Sequence, residues 1–204
     1  MTHQEVFIVE LRKKSANMML LLLNDGDSLL IPEKKVNDLG LTLQSSLSVE
    51  TVFQLKEDQI YSAIYRKAME FLAVREHSSR ELFQKLTTRF QETHLIEKCL
   101  QHLKQHAFQS DERYAEAFIS SRLTRKDCGS YMILAEAQQK GISKEVAEKL
   151  LREQADDDLW LEKAKNYLEW IKKTSKNLSY QKQWNKLYTR GFSREIIHQV
   201  LNES

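Results

Sequence analysis

One arrangement of helices occurs three times in this 204-residue chain. Leu95-Ile96…Cys99-Leu100 aligns with Val146-Ala147…Leu150-Leu151 and with Ile196-Ile197…Val200-Leu201, at offsets of 51 and 50 residues. The preceding helices keep register at Leu86, Ala137 and Leu187, and the turns after them read Thr88-Arg89-Phe90, Gln139-Lys140-Gly141 and Thr189-Arg190-Gly191. Upstream, an Ala-x-x-aromatic pair recurs as Ala68/Phe71, Ala115/Phe118 and Ala164/Tyr167. A period of about 50 residues marks a helical array, in which each unit is too small to bury its own apolar face and must stack on a neighbour.

The spacing predicts helices over about 60–75, 79–90, 94–106, 111–125, 130–140, 143–153, 157–174, 180–190 and 193–202, with apolar residues following the 3.6-residue stripe. Ser78-Ser-Arg-Glu81 reads as a capping box at one helix start. The region before residue 59 has a different period. Val6–Leu11 and Met18–Leu23 read as strands, Asn24-Asp25-Gly26-Asp27 as a hairpin turn, and Ser28–Ile31 as the returning strand, stopped by Pro32. A short helix over Glu33–Asp38 ends at Gly40, and Ser48 caps another over Val49–Leu55. The expected fold is mainly α: an elongated array of three tandem three-helix repeats (59–108, 109–155, 156–204) behind a small β-hairpin-containing module (1–58).

Composition narrows the function. One proline and five glycines are too few for the turns of an all-β chain, and no glycines are close enough for a phosphate loop or a dinucleotide fingerprint. Two cysteines, with neither a disulfide framework nor a CxxC pair, fit a reducing compartment. The N-terminal residues lack a signal-peptide pattern, and Met18–Leu23 is far too short to span a bilayer. A soluble cytoplasmic protein, with no membrane partner, is expected. Charge is uneven: residues 1–59 carry six Lys/Arg against nine Asp/Glu (−3), and the rest carries 25 against 20 (+5). An acidic or polyanionic partner would therefore meet the helical part.

Candidate chemistry is sparse. Cys99, His102 and His106 share one helical face, but Cys99 holds the core position of Leu150 and Val200, so the structural reading is favoured and no metal is expected. Asp156-Asp-Asp158 opens a helix, where carboxylates satisfy free amides and the dipole. No catalytic residues and no cofactor are expected. Lys140-Gly-Ile-Ser143 and Arg190-Gly-Phe-Ser193 look like helix-turn-helix joints, though their duplication favours joints internal to the repeats. Basic residues gather at equivalent helix ends: Arg75, Arg80, Lys85 and Arg89; Arg122, Arg125 and Lys126; Lys140 and Lys144; Lys172, Lys173 and Lys176; Arg190 and Arg194.

Ala68-Met-Glu-Phe-Leu-Ala-Val-Arg75-Glu-His-Ser78-Ser-Arg-Glu81-Leu82 resembles the opening signature of the RecX family, regulators of the RecA recombinase. Asp111-Glu-Arg-Tyr114-Ala115…Phe118-Ile-Ser-Ser-Arg122, Gln138-Gln-Lys-Gly141-Ile-Ser143-Lys-Glu145 and Leu187-Tyr-Thr-Arg-Gly191-Phe-Ser193 are similar to that family's later motifs. Phe90 stands where the family often has glycine, and Asp127-Cys128 where a Lys-Gly-aromatic turn is common. The resemblance covers residues 60–204. It implies a non-catalytic monomer that binds the RecA–DNA filament along its groove and restrains filament growth, ATP hydrolysis and strand exchange, modulating recombination and repair. Direct contact with single- or double-stranded DNA is the alternative. The residues expected to meet filament or DNA phosphate are Arg75, Arg80, Lys85, Arg122, Arg125, Lys126, Lys140, Lys144, Arg190 and Arg194. For Arg75 and Arg122 an internal anchoring role stands equally open.

Overall fold

A computed structural model describes residues 5–125, 128–175 and 178–203. Two compact units emerge, one of Met1–Phe71 with Lys85–His102, the other of Leu72–Gln84 with Leu103–Ser204.

The first unit is built on an antiparallel sheet in the order β3-β2-β1-β4. Its strands are β1 (Val6–Ser15), β2 (Met18–Leu23), β3 (Ser28–Pro32) and β4 (Ser46–Leu47). The β2–β3 hairpin turns where Asn, Asp and Gly were expected to allow it: Gly26 has φ +93°, and the Leu23 amide donates to Asp27 O at 2.8 Å. Alternation then buries Leu29 and Ile31 and exposes Ser28, Leu30 and Pro32. With Ile8, Leu21 and Leu23 they pack on Val36 of helix α1 (Glu33–Asp38) and on Val52 and Leu55 of α2 (Val49–Val74). Each fully buried aliphatic side chain contributes roughly 2 kcal/mol.

Three elements differ from expectation. The helices over 49–55 and 60–75 are one 26-residue helix, α2. The polar stretch Lys56-Glu-Asp-Gln59 interrupts the apolar stripe but holds no Pro or Gly, so the backbone ladder runs through it. Strand β1 also continues past Leu11 to Ser15, because Arg12 and Lys13 still pair with Leu20 and Met19. Strand β4, which the sequence reading lacked, pairs Leu47 with Val6.

The remaining helices lie close to the positions predicted: α3 (Ser79–Thr87), α4 (Thr93–Gln105), α5 (Asp111–Leu123), α6 (Ser130–Gln139), α7 (Lys144–Gln154), α8 (Asp157–Thr174), α9 (Tyr180–Thr189) and α10 (Arg194–Asn202). Side-chain caps set several starts. Ser78, Ser143 and Ser193 accept the amide three residues on at 3.1, 3.3 and 3.3 Å, and Asp156 accepts from Leu159 at 2.9 Å. In the second unit α5–α7 enclose Ala115, Ile119, Ile133, Ala137, Ala147 and Leu150. Helices α8–α10 enclose Ala164, Leu168, Ile171, Leu187, Phe192 and Ile197.

These two three-helix groups meet backbone to backbone. Gly129 N donates to Arg190 O at 2.8 Å and Tyr131 N to Gly191 O at 3.0 Å. The approach leaves no room for a side chain: a Cβ on Gly129 would collide with the Gly191 carbonyl, and one on Gly191 with the Met132 backbone. A second joint, at the start of α3, is made with side chains. Ser79 N and Oγ reach Asp111 Oδ1 and Gln109 Oε1 at 2.8 and 2.9 Å, while Gln109 Nε2 donates to His77 O at 3.2 Å.

Candidate functional site

Cys99 is fully buried in the core of the first unit, and desolvation pushes its thiol up to about 11. Next to it on α4, His102 is committed to α2: its Nδ1 lies 2.8 Å from Tyr61 Oη, and its ring packs against Tyr61 and Tyr65. His94 pairs with Glu57 at 2.7 Å. This set reads as core and helix-packing chemistry. At pH 8 a thiol with pKa near 11 is about one part in a thousand thiolate, so in a Cys128→Ala background iodoacetamide should label Cys99 about a hundredfold more slowly than free cysteine. Rapid labelling would contradict the burial. The raised value also fixes a sign: the protonated thiol favours the fold below the unfolded pKa of about 8.5, and that contribution is lost as pH climbs towards 11.

The candidate cations divide by what holds them. Arg75 grips Glu81 at the start of α3 through both terminal nitrogens, at 2.5 and 3.0 Å, and donates to Glu76 O. The Glu81 hydrogen bonds hold its guanidinium above the ordinary value. Arg122 sits 2.5 Å from Glu136 of α6 and 4.8 Å from the Phe118 ring, and Arg125 reaches the same carboxylate at 3.5 Å. Arg190 donates to Tyr167 Oη at 3.1 Å and lies over that ring. These four tie helices together. Lys85 lies 4.9 Å from the Phe71 centroid, and Lys144 pairs loosely with Glu148 at 3.6 Å along α7. Lys126 lies outside the described residues.

Of the candidate cations, Arg80, Lys140 and Arg194 are exposed with no carboxylate partner among the described residues. The Arg80 stem lies over the Gly141 turn, where a Cβ would stand 3.3 Å from its Cδ. Beside that turn, Lys140 lines a groove of about 340 Å³ with Arg75, Glu76, Tyr114, Phe118 and Arg122. Within it Glu76 Oε1 takes Arg113 Nε at 2.7 Å, while Oε2 is buried without a partner. The groove thus presents three cations around one carboxylate, over an aromatic floor. Sequence reasoning named its basic residues but missed Glu76 and Tyr114, because only folding brings Glu76 against Arg113 of α5, 37 residues on.

The joints that look like helix-turn-helix elements serve the packing. Both serines cap their helices, but at the second joint Gly191 is pressed on Met132 and Phe192 is buried. No described helix is long and apolar enough to cross a membrane.

Known proteins place the chain. Residues 110–151 match the family described as RecX, second three-helix domain. A regulatory protein RecX from Pseudomonas fluorescens (strain SBW25) is 35% identical over 146 residues, covering 69% of this chain and 90% of that protein. This chain belongs to the RecX family. A second RecX, from Clostridioides difficile (strain 630), is 26% identical across 96% of this chain and 93% of its own length. A crystal structure of regulatory protein RecX superposes with a TM-score of 0.78 at 17% identity, covering 97% of this chain and 99% of that one. The crystal structure of RecX from Lactobacillus salivarius gives 0.61 at 26% identity, over 70% and 95%. The mainly helical fold with its small N-terminal sheet is therefore the RecX fold, and the chain belongs with regulatory proteins.

Proposed function

We propose that this RecX-family protein acts without catalysis, binding the RecA–DNA filament and restraining its growth, ATP hydrolysis and strand exchange. In this reading it works as a cytoplasmic monomer, with 59–108, 109–155 and 156–204 as three docking repeats and 1–58 as an accessory module. The observation that carries it is the division of the cations. Arg75, Arg122, Arg125 and Arg190 hold the scaffold, while the candidates Arg80, Lys140 and Arg194 are exposed at repeat helix ends with no carboxylate partner among the described residues. Repeated weak contacts to a helical polymer add by avidity, so few residues per repeat suffice.

The test adds the protein at substoichiometric ratios to RecA on single-stranded DNA with ATP. The expected result is a fall in ATP hydrolysis and in filament length at ratios well below one per RecA. Unchanged hydrolysis and length across the whole titration would reject the reading.

A further inference from the structure

Strand β3 is an edge of the sheet, and its outer side faces a groove against α2. The Leu23 amide donates to Asp27 O and the Glu33 amide to Asn17 O, which fixes how β2 and β3 pair. In that register Leu29 and Ile31 share the ladder with Leu21 and Met19, so Ser28 and Leu30 turn their main-chain groups away from the sheet. Pro32 has no N–H to offer. Among the described residues only the Leu30 amide has a partner on this side: it donates to Gln59 Oε1 of α2 at 2.8 Å. A glutamine side chain thus stands where the carbonyl of another strand would. Gln59 is itself exposed and held by this one bond, so it is displaceable.

The groove encloses about 450 Å³, within the roughly 300–1,000 Å³ usual for binding clefts. Met18, Pro32 and Ala63 give it an apolar lining, and Lys35 in it is paired with Asp58. Arg66, on α2 beyond Gln59, lines it too, is exposed, and has no carboxylate partner among the described residues. An edge beside a helix suits an extended chain: main-chain bonds to Ser28 and Leu30 hold it, and the groove reads its alternate side chains. Charge says which chain. The open guanidinium calls for a carboxylate, and a second copy of β3, Ser-Leu-Leu-Ile-Pro, carries none.

We propose that β3 and α2 form a docking groove for an extended, carboxylate-bearing peptide of a partner protein. The peptide displaces Gln59 from the Leu30 amide, adds a strand to the sheet and sets its acid against Arg66. This role for the N-terminal module does not rest on the filament reading.

The test titrates the isotope-labelled full chain, without RecA, with a pool of acetylated hexapeptides alternating Val or Ile with Asp or Thr. Saturating shifts of the Ser28 and Leu30 amide signals are expected at millimolar peptide. Gln59→Ala should tighten binding about fivefold, because the peptide no longer competes for the Leu30 amide. Arg66→Gln should weaken the Asp pool about threefold and leave a matching Asn pool unchanged. The proposal is overturned by signals that stay put, by equal affinity of the parent and Gln59→Ala chains, or by an Asp pool indifferent to Arg66→Gln. Undiminished binding of a fully N-methylated pool would also overturn it, as would dimerisation of the Gln59→Ala chain in sedimentation without peptide, which would give the edge to a second copy. Because RecA is absent, neither result bears on the hydrolysis titration.

Discussion

Replacing Gly191 with alanine should destabilise the unit containing α5–α10 by about 3 kcal/mol or more, lowering its thermal midpoint by roughly 10 °C. Two effects act together. The residue has φ +82°, which an L side chain adopts at a cost of about 1–2 kcal/mol. The new methyl would also meet the Met132 main chain, with Met132 Cβ at 2.7 Å and Cα at 3.0 Å, and backbone cannot swing aside as a side-chain tip can. Relief requires α6 to move away, which breaks the Gly129–Arg190 and Tyr131–Gly191 hydrogen bonds. Gly26→Ala is the control: its φ is +93°, but no atom lies within 4 Å of the added Cβ, so about 1 kcal/mol is expected. Calorimetry or urea titration on the three proteins decides it. Equal losses for both variants would mean that the joint yields.

The triple variant Arg80→Glu/Lys140→Glu/Arg194→Glu should lose the proposed restraint of RecA by at least tenfold in the concentration needed, with thermal stability unchanged to within about 1 kcal/mol. These side chains are exposed and hold no carboxylate among the described residues, so reversing them removes attraction to an acidic or phosphate surface without opening the fold. Arg75→Glu should behave oppositely. It would set two carboxylates together at the start of α3, where Glu81 now receives Arg75, and the loss should appear first in the melting curve. Retained inhibition in the triple variant would relocate the docking surface.

The repeat was legible because its signals are local. Capping serines at 78, 143 and 193, a glycine in two turns and a helical stripe need only neighbouring residues. The hairpin was legible for the same reason. Helix α2 was split in the sequence reading because its polar stretch does its work at a distance, with Glu57 meeting His94 and Asp58 meeting Lys35. The cations show the limit most clearly. Arg75, Arg80, Arg122 and Lys140 look alike in sequence, yet two are spent on Glu81 and Glu136 and two are not. Only folding decides which acid reaches which base. Glu136 sits 14 residues from Arg122, on another helix, and no spacing rule connects them.

The two inter-helix joints of the second unit are written in different alphabets. Where Gly129 and Gly191 meet, the bonding groups belong to every amino acid, so mutation can drift freely around two invariable points without altering how the pieces seat. Where Ser79, Gln109 and Asp111 meet, the bonding groups are the mutable ones, and substitution there would re-angle one helix pair while leaving each hydrophobic interior untouched. Descendants of this chain could change how those helices seat at that cluster of side chains, one residue at a time.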